Sequence, residues 1–316
     1  MIKIRLRPDQ ITAFVLIAVL ILFQGSHVIA DSAESSILLQ NITLIDPSPY
    51  PVIHTNNEVD LDAEDYFSQI SAKSYLIVDP QSASIIQSRN MYVSQFPAST
   101  VKLMTALVAR EAYNLDDTLS TDSGRFVLGN KVGFLWGTQV TIKDLLASSL
   151  VFSGNDAAQV LAENYPTGYQ GFIDRMNQKA KELSLFQTTY ANPTGIDDYT
   201  QLTSAWDLSL LAREVIKDPV LKEFVAIKNL DITDLNLGYQ YHLFNTNELL
   251  YQYDQVKGIK TGTTLLAQQV LVTLWEEDGH QVLIVVMGSQ DRYKDTLGLI
   301  EWVQNNVIWK DGAFPG

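Results

Sequence analysis

Residues 96–110 read FPASTVKLMTALVAR, a stretch that places Ser99 and Lys102 at the start of an apolar helical pattern. Side chains three positions apart on a helix share one face, with Cβ atoms about 5–6 Å apart. The apolar neighbours exclude water from the lysine, which lowers its pKa and favours the neutral amine. A neutral amine can accept the proton of a serine hydroxyl, which is a weak nucleophile until that proton is removed. The spacing therefore suits a serine nucleophile with a lysine base, at a helix N-terminus that stabilises negative charge. Taken alone, it also fits a serine N-cap with an exposed lysine.

Two shorter motifs further along the chain supply residues of the same chemical kind. FSGNDAAQVLAE contains Ser153 and Asn155 in a short turn that leads into a helix. VKGIKTGTT contains Lys260, Thr261 and Gly262 on a predicted strand. Taken singly, the first motif also fits a helix cap and the second an exposed strand lysine, so neither is specific alone.

Composition narrows the classes of function. The chain has 316 residues, of which 46% are hydrophobic, enough for one large domain or two small ones. Its 22 Lys and Arg residues are outnumbered by 36 Asp and Glu, a formal net charge of −14, which argues against nucleic acid as a partner. The chain has no cysteine, so disulfides and thiolate metal sites are excluded. The histidines lack metal-ligand spacing, and no metal or other cofactor is expected: they are His27, His54, His242 and His280.

The N-terminus has the pattern of an export signal. Three basic residues precede an apolar run over residues 11–23, which is shorter than the roughly 20 residues of a spanning helix. The sequence VIA before Asp31 fits a cleavage site, so we predict a signal peptide over residues 1–30. The alternative is an uncleaved membrane anchor in residues 11–23. Either way the remaining chain is expected outside the cytoplasmic membrane, in the periplasm or cell wall or at the cell surface.

A polar segment separates this signal from the predicted domain. Residues 31–68 are irregular and are predicted to form a flexible acidic linker. Its acidic run DLDAED lacks the glycine and the terminal glutamate of a calcium loop. The folded domain is expected over residues 69–312. Near its start, two strand-like runs, Tyr75–Val78 and Ala83–Gln87, flank the turn DPQS and predict a hairpin.

Helical and strand patterns follow in separate blocks. Roughly residues 98–221 are mainly helical, with Thr141 as a predicted N-cap and Pro219 as a predicted helix stop. Two strong strands then flank Asp278 and Gly279, and a last helix follows. Strands this far apart in sequence belong most simply to one antiparallel sheet. The expected fold is α+β, an antiparallel sheet built from the N- and C-terminal segments with helices on its faces and a mostly helical inserted lobe. A ligand site is expected between the sheet and the lobe.

The order of the motifs resembles that of one enzyme family. SxxK, then SxN, then KTG is the order found in the serine acyl-transferases that recognise penicillin. The sequences PASTVKLMTALVA, SGNDAA, NPTGIDD and VKGIKTG together resemble the low-molecular-weight penicillin-binding proteins, which are serine D-Ala-D-Ala carboxypeptidases. The resemblance covers about residues 70–310. It implies a DD-peptidase/β-lactamase-like fold, peptidoglycan stem peptides as substrates, and β-lactam antibiotics as covalent inhibitors.

The resemblance also implies a role for each motif residue. Three residues would be catalytic: Ser99 as the acylated nucleophile, Lys102 as its general base, and Ser153 as a proton relay towards the leaving group. The backbone N–H groups of Ser99 and Thr263 would form the oxyanion hole, which needs no particular side chain. The other substrate-binding positions would be Asn155 at the substrate amide, Lys260, Thr261 and Arg292 at its terminal carboxylate, and Gly262 of the KTG motif.

Two positions depart from the family pattern. Thr263 stands where relatives usually have an aromatic residue or a histidine, and Gln268 stands where glycine is common. A bulky residue at position 268 is expected to crowd the strand or change the width of the cleft. Both departures bear on rate and substrate preference more than on acylation itself.

Three other functions are alternatives to a carboxypeptidase. A class A β-lactamase needs a glutamate that activates the deacylating water, and Glu182 lacks the asparagine that accompanies it, so Glu182 is predicted to be a surface helix residue. An endopeptidase that cuts D-alanyl cross-links would use the same residues in a cleft of different shape. A catalytically weak cell-wall-binding homologue would keep the fold alone. The sequence leaves the last two alternatives open.

Overall fold

An antiparallel sheet joins the two ends of the folded chain. The computed structural model describes residues 50–53, 66–121 and 127–310, which all belong to the unit Pro49–Gly316. The sheet has five strands, and segments from before the helical region pair with segments that follow it. This arrangement confirms the predicted α+β architecture. From edge to edge the strands are β3 (Ile85–Arg89), β2 (Ser74–Val78), β10 (His280–Ser289), β9 (Gln268–Glu277) and β8 (Val256–Thr264).

Smaller strand pairs and eight helices complete the part of the chain that the structure describes. Three antiparallel pairs are β1 (Tyr50–Ile53) with β11 (Val307–Lys310), β4 (Thr118–Ser120) with β5 (Gln139–Thr141), and β6 (Asn229–Thr233) with β7 (Gln240–Phe244). The helices are α1 (Val101–Ala112), α2 (Ile142–Val151), α3 (Asn155–Glu163), α4 (Gly168–Glu182), α5 (Ala205–Lys217), α6 (Pro219–Ala226), α7 (Leu249–Gln252) and α8 (Arg292–Asn306).

The central sheet has a hydrophobic core on each face. Successive residues of strand β10 alternate between the two, with Leu283 and Val285 in one core and Val282 and Ile284 in the other. This alternation follows from the two-residue period of a strand. The first core contains the inserted helices, and the second contains residues of α8 such as Trp302. Because both faces are covered, the inner strands read as continuous apolar runs.

Helix α1 lies in the middle of the first core. Every residue from Val101 to Ala109 is buried, including Lys102. A helix buried on all sides is apolar all round, which explains why most residues at this point are hydrophobic. The lysine in its first turn is therefore an exception that the fold has to accommodate.

The predicted helix ends agree with the structure. The Thr141 side chain accepts a hydrogen bond from the backbone N–H of Asp144 and caps α2. Helix α5 ends at Lys217, just before Pro219, as predicted. Pro219 then occupies the first turn of α6, where a missing N–H is tolerated, and Asp218 caps that helix.

Both predicted hairpins are present. The first is formed by β2 and β3, and β3 begins at Ile85, two residues later than predicted. In the second, Asp278 and Gly279 join β9 to β10 with φ angles of 51° and 80°. Two consecutive positive φ angles are typical of the type I′ turn, whose twist matches that of the flanking strands.

One strand lies inside the segment that was predicted to be a linker. Strand β1 pairs with β11, with Tyr50 opposite Lys310 and Ile53 opposite Val307. The short apolar sequence YPVI has no local partner, so only pairing with a distant segment makes it a strand. The predicted signal peptide or anchor and the acidic run DLDAED fall outside the described residues. Among the residues described, no helix is both long and apolar enough to cross a bilayer.

Candidate active site

The candidate nucleophile lies in a strained turn. Ser99 belongs to the 3-10 turn Ala98–Thr100, which leads directly into α1. Ala98 has a φ of 49°, in the left-handed region that costs a non-glycine residue about 1–2 kcal/mol. The hydroxyl of Thr100 donates to the carbonyl of Pro97 at 2.7 Å. Such strain persists only where the surrounding structure holds the backbone, so contacts from other segments position Ser99.

Two glycines from distant segments provide those contacts. A Cβ atom on Gly195 would lie 1.9 Å from the carbonyl oxygen of Ala98, and Gly195 itself has a φ of 87°. A Cβ atom on Gly262 would lie 2.9 Å from the backbone nitrogen of Ser99. Both distances are too short for a side chain in a packed interior, so each position requires glycine. Gly262 was a predicted site residue, whereas Gly195 of the NPTG sequence was not.

Replacing Gly262 with alanine is expected to displace the nucleophile and leave the sheet folded. The added methyl group would move Ser99 away from β8, and a displacement of about 1 Å costs about 100-fold in rate. We therefore expect acylation by a fluorescent penicillin to be about 100-fold slower. Gly298→Ala is the matched control, because its methyl group would first meet the flexible end of Ile70, at 3.1 Å. Acylation of Gly262→Ala at the wild-type rate would contradict the prediction.

Lys102 is fully buried beside Ser99. Its Nζ atom lies 2.9 Å from Ser99 Oγ and donates to the carbonyl oxygen of Thr194 at 2.6 Å. Burial lowers the pKa of Lys102 well below the usual lysine value, and the Lys260 cation lowers it further, while Asp156 raises it. A neutral Nζ has a lone pair for the Ser99 proton and an N–H for Thr194. The pair therefore has the distance that proton transfer requires, and burial favours the neutral amine.

The loop that contacts Lys102 is held by its own side chains. Asn192 Oδ1 accepts from the backbone N–H groups of Thr194 and Gly195, at 3.2 and 2.8 Å. From α1, the hydroxyl of Thr105 donates to the carbonyl of Pro193 at 2.7 Å. The sequence alone assigns these residues no individual role, because the loop contacts α1 through backbone carbonyls. The Asn-Pro pair, which favours turns, was the available signal.

Ser153 lies in the turn between α2 and α3, and Asn155 is the first residue of α3. Ser153 is buried and has a φ of 63°. The Nδ2 atom of Asn155 donates to the carbonyl of Leu128 at 2.5 Å, and its backbone N–H donates to the carbonyl of Asn130 at 2.8 Å. The Oδ1 atom of Asn155 is buried without a partner. An unsatisfied buried acceptor costs about 1–3 kcal/mol, so this oxygen is suited to an N–H of a ligand.

Lys260 and Thr261 lie on strand β8. Lys260 is 1% exposed, and burial, together with the nearby Arg292 cation, lowers its pKa to about 7. Its Nζ atom donates to the carbonyl of Thr261 at 3.2 Å. The Thr261 hydroxyl oxygen lies 2.6 Å from that of Thr246. Near neutral pH, Lys260 is divided between charged and neutral forms, and a bound anion would favour the charged form.

Arg292, in the first turn of α8, reaches the end of strand β8. One Nη atom donates to the carbonyl of Gly262 at 2.9 Å and to Thr263 Oγ1 at 2.7 Å. The guanidinium carbon lies 5.0 Å from the ring centroid of Tyr293, within the range of a cation–π contact. The Nε atom of Arg292 is buried and has no partner. A short threonine at position 263 thus leaves room for the arginine and accepts from it.

The predicted site residues lie at the start of α1, around the α2–α3 turn, on β8 and at the start of α8. Gly262 contacts the backbone of Ser99, and the charges of Lys260 and Asp156 both act on Lys102. The charge of Arg292 acts in turn on Lys260. Contacts or charges link Ser99, Lys102, Lys260, Thr261, Gly262, Thr263 and Arg292. Ser153 and Asn155 lie just before Asp156, whose charge acts on Lys102.

Glu182 lies outside this site. It is the last residue of α4 and pairs with Arg175 at 2.8 Å. Arg175 also pairs with Glu111 at 2.5 Å, so Glu182 belongs to an ion-pair cluster on the protein surface. The prediction that Glu182 is a surface helix residue is therefore confirmed.

The Gln268 side chain does not crowd the strand, in contrast to the expectation from the sequence. The side chain is exposed at the start of β9, opposite Thr264 of β8. Its φ is 58°, a conformation that glycine adopts readily and glutamine rarely. Glycine suits this position because of the backbone conformation, and the cost of glutamine is backbone strain.

Replacing Gln268 with glycine is therefore expected to stabilise the fold. Relief of the left-handed strain exceeds the extra chain entropy that glycine loses on folding, and we expect the free energy of unfolding to rise by about 0.5–1 kcal/mol. Urea denaturation followed by circular dichroism measures the change. The control is Gln281→Gly on β10, where φ is not positive and glycine should destabilise the strand by about 0.5–1 kcal/mol. Destabilisation of both variants would contradict the prediction.

Comparison with known proteins finds one family. The sequence model of the D-alanyl-D-alanine carboxypeptidase family matches residues 59–291. The carboxypeptidase DacF of Bacillus subtilis is 31% identical over 69% of this chain and 57% of its own length. The D-alanyl-D-alanine endopeptidase of Escherichia coli is 30% identical over 76% of this chain and 79% of its own. The crystal structure of a D-alanyl-D-alanine carboxypeptidase from Mycobacterium tuberculosis is 28% identical with a TM-score of 0.70, covering 75% of this chain and 92% of that one.

The chain thus belongs to the D-alanyl-D-alanine carboxypeptidase family, and its fold is that of the DD-peptidases. This agrees with the resemblance seen in the motif order. The aligned part nevertheless spans 57% of the Bacillus protein, and 62% and 61% of carboxypeptidases from Haemophilus influenzae and Escherichia coli.

Proposed function

We propose that this protein is a serine D-alanyl-D-alanine carboxypeptidase that removes the terminal D-Ala from peptidoglycan pentapeptide stems. The observation that carries the proposal is the buried amine of Lys102, 2.9 Å from Ser99 Oγ, with a pKa lowered by burial. Membership of a family described by this activity supports it. Side chains and backbone N–H groups of the chain supply the nucleophile of acylation, its base, the proton relay and the donors to the oxyanion.

Acylation would begin with loss of the Ser99 proton. Neutral Lys102 accepts it as Oγ attacks the carbonyl carbon of the D-Ala–D-Ala bond. The oxyanion that forms accepts hydrogen bonds from the backbone N–H groups of Ser99 and Thr263. In support of this, strand β8 runs close to the nitrogen of Ser99 at Gly262. When the C–N bond breaks, Ser153 relays the proton from Lys102 to the amine of the departing D-Ala, which leaves Lys102 neutral and an ester on Ser99.

Deacylation would repeat these steps with water as the nucleophile. Water attacks the ester carbonyl, gives one proton to Lys102, and releases the shortened peptide as Ser99 regains its hydrogen. The acyl part of the substrate is held meanwhile by Asn155, whose unpartnered Oδ1 accepts from a substrate amide N–H. Asn155 thus fixes the carbonyl relative to the nucleophile.

Selection for a terminal residue would come from the positive end of the site. Lys260, Thr261 and Arg292 gather on or beside strand β8 in a protein of net charge −14. The carboxylate of the last D-Ala is an anion that a lysine, a hydroxyl and a guanidinium bind together. An internal peptide bond lacks that charge and would leave the Lys260 cation without a partner.

The same chemistry defines the expected inhibitors and location. A β-lactam contains an amide bond beside a carboxylate, so penicillins would acylate Ser99 in place of the peptide. Peptidoglycan lies outside the cytoplasmic membrane, which accords with the export signal predicted over residues 1–30. We propose that the protein acts there, either released after cleavage of the signal or held by residues 11–23.

A second candidate function is cleavage of D-alanyl cross-links. It is favoured by the 30% identity to the D-alanyl-D-alanine endopeptidase of Escherichia coli, over a larger share of that protein than of the Bacillus carboxypeptidase. Both reactions use the same nucleophile and base. They differ in whether the leaving group is a free D-Ala or a residue attached to a second stem.

Mass spectrometry of muropeptides distinguishes the candidates. Residues 31–316 are incubated with pentapeptide and with cross-linked muropeptides, beside Ser99→Ala as the control for contaminating peptidases. Loss of one alanine from the pentapeptide by the wild type alone supports the carboxypeptidase. Cleavage of cross-links alone would transfer the protein to the endopeptidases. No change in either substrate would refute both and favour a catalytically weak wall-binding homologue.

A further inference from the structure

A hydroxyl outside the three motifs contacts the KTG strand. Thr246 lies in the turn between β7 and α7, and its Oγ1 is 2.6 Å from Oγ1 of Thr261. Either oxygen can be the donor in this short contact. Thr246 is partly exposed, whereas Thr261 is buried, so the pair lies at the edge of the site.

The backbone of Thr246 is held from two sides. Its N–H donates to the carbonyl of Val151, at the end of α2, at 3.2 Å. Its carbonyl accepts from the hydroxyl of Tyr293 at 2.8 Å. The ring of the same Tyr293 makes the cation–π contact with the Arg292 guanidinium. Thr246 therefore links the inserted helices, strand β8 and the start of α8. Of these three links, the contact with Thr261 is the one that its side chain makes.

The number of hydroxyl protons decides what the Thr246 side chain does when an anion is bound. A hydroxyl has one proton to donate, and a carboxylate can only accept. If Thr261 donates to the substrate carboxylate, it has no proton left for Thr246. Thr246 must then be the donor, so its proton points at Thr261 Oγ1. If Thr261 instead donated its proton to Thr246, its oxygen would direct a lone pair at the anion, and the two would repel each other.

We propose that Thr246 is a positioning residue that orients the Thr261 hydroxyl for donation to the terminal carboxylate of the substrate. The inference rests on the proposed function, since it concerns the same anionic end. Donation from Thr246 polarises the Thr261 hydroxyl and strengthens its hydrogen bond to the carboxylate. Thr246 does not touch the reacting atoms, so its effect depends on whether the substrate bears that charge.

Two peptides and two variants test this role. The peptides are an acyl-D-Ala-D-Ala with a free carboxylate and its C-terminal carboxamide, and the readout is the ratio of their kcat/KM values. Thr246→Val keeps the shape and both backbone hydrogen bonds but loses the hydroxyl. We expect it to lower the ratio about tenfold, mainly through KM for the carboxylate peptide. Thr246→Ser keeps the hydroxyl and should retain the wild-type ratio.

The outcomes separate a positioning role from a structural one. An unchanged ratio in Thr246→Val, or an equal loss on both peptides, would overturn the inference. Failure of the wild type to cleave either peptide would instead overturn the proposed function. The inference would then be decided by the rates at which benzylpenicillin and its methyl ester acylate the protein. Thr246→Val must lower the benzylpenicillin rate relative to that of the ester, and an unchanged ratio would again contradict it.

Discussion

Benzylpenicillin is expected to add the mass of one intact drug molecule to the wild-type chain and nothing to Ser99→Ala. Attack by Ser99 Oγ opens the β-lactam ring, and because the amide is cyclic, the amine stays attached and no atoms leave. Without Oγ, the hydroxyl that lies 2.9 Å from the buried amine of Lys102 is lost. The loss is therefore complete rather than partial. Intact-protein mass spectrometry measures the adduct, and peptide mapping locates it.

Ser209→Ala is a matched control for this experiment. Ser209 is buried, and its hydroxyl donates to the carbonyl of Trp206 within α5, outside the site. This variant should label as the wild type does. The thermal midpoint of Ser99→Ala should also stay near that of the wild type, because Lys102 keeps its hydrogen bond to Thr194. An adduct on Ser153 or on Ser99→Ala would show that the nucleophile has been assigned wrongly.

Lys102→Met is expected to slow acylation about 10²–10⁴-fold, the usual contribution of a general base. Methionine fills a similar volume in the core but has no lone pair basic enough to accept the Ser99 proton. The acylation rate constant for a fluorescent penicillin measures the effect. Lys217→Met is the control, since Lys217 is exposed and pairs with Glu214 on the surface. A rate within a few-fold of the wild type would exclude Lys102 as the base.

The pH dependence of peptide cleavage adds a second readout for the same base. Lys102 accepts a proton only when neutral, so the wild-type rate should rise with pH through its pKa, which burial places below the usual lysine range. Lys260 binds the carboxylate best when charged, so kcat/KM should fall as pH rises through about 7. In the pH profile of kcat, the falling limb should lie at higher pH than in that of kcat/KM, because the bound carboxylate stabilises the Lys260 cation.

Removing one charge tests how the two lysines are coupled. Lys260→Met deletes the cation that lowers the pKa of Lys102. The pKa of Lys102 should therefore rise, and the rising limb of the profile should move to higher pH. The falling limb near pH 7 should disappear. A rising limb at the wild-type pH would show that the charge of Lys260 does not act on Lys102.

Local patterns were sufficient for most of the fold. The turn at Asp278 and Gly279, the cap at Thr141 and the helix stop before Pro219 each depend on a few neighbouring residues, and all three are present in the structure. Strand β1 was missed because its partner, β11, lies at the other end of the domain. Local sequence carries no information on such a distant pairing.

Some residues of the candidate site could likewise be predicted from local sequence, and others could not. Ser99, Lys102 and Lys260 have unusual side chains at recognisable spacings, so they could be predicted from the sequence alone. Gly195 and Thr246 could not, since the first is required by a backbone contact and the second acts through a hydroxyl on another segment. Their roles depend on distances between elements, which appear only in the folded chain.

The close contacts of Gly195 and Gly262 with the Ala98–Ser99 turn also concern the folding of the chain. Synthesis proceeds from the N-terminus, so a nascent polypeptide contains the serine and the lysine well before strand β8. Until that strand and the NPTG loop arrive, the left-handed conformation of Ala98 has nothing to hold it. Reactivity should therefore appear late, when the most distant segments have docked. In a refolding experiment, capture of penicillin would report completed tertiary assembly, whereas circular dichroism would report the earlier formation of helices.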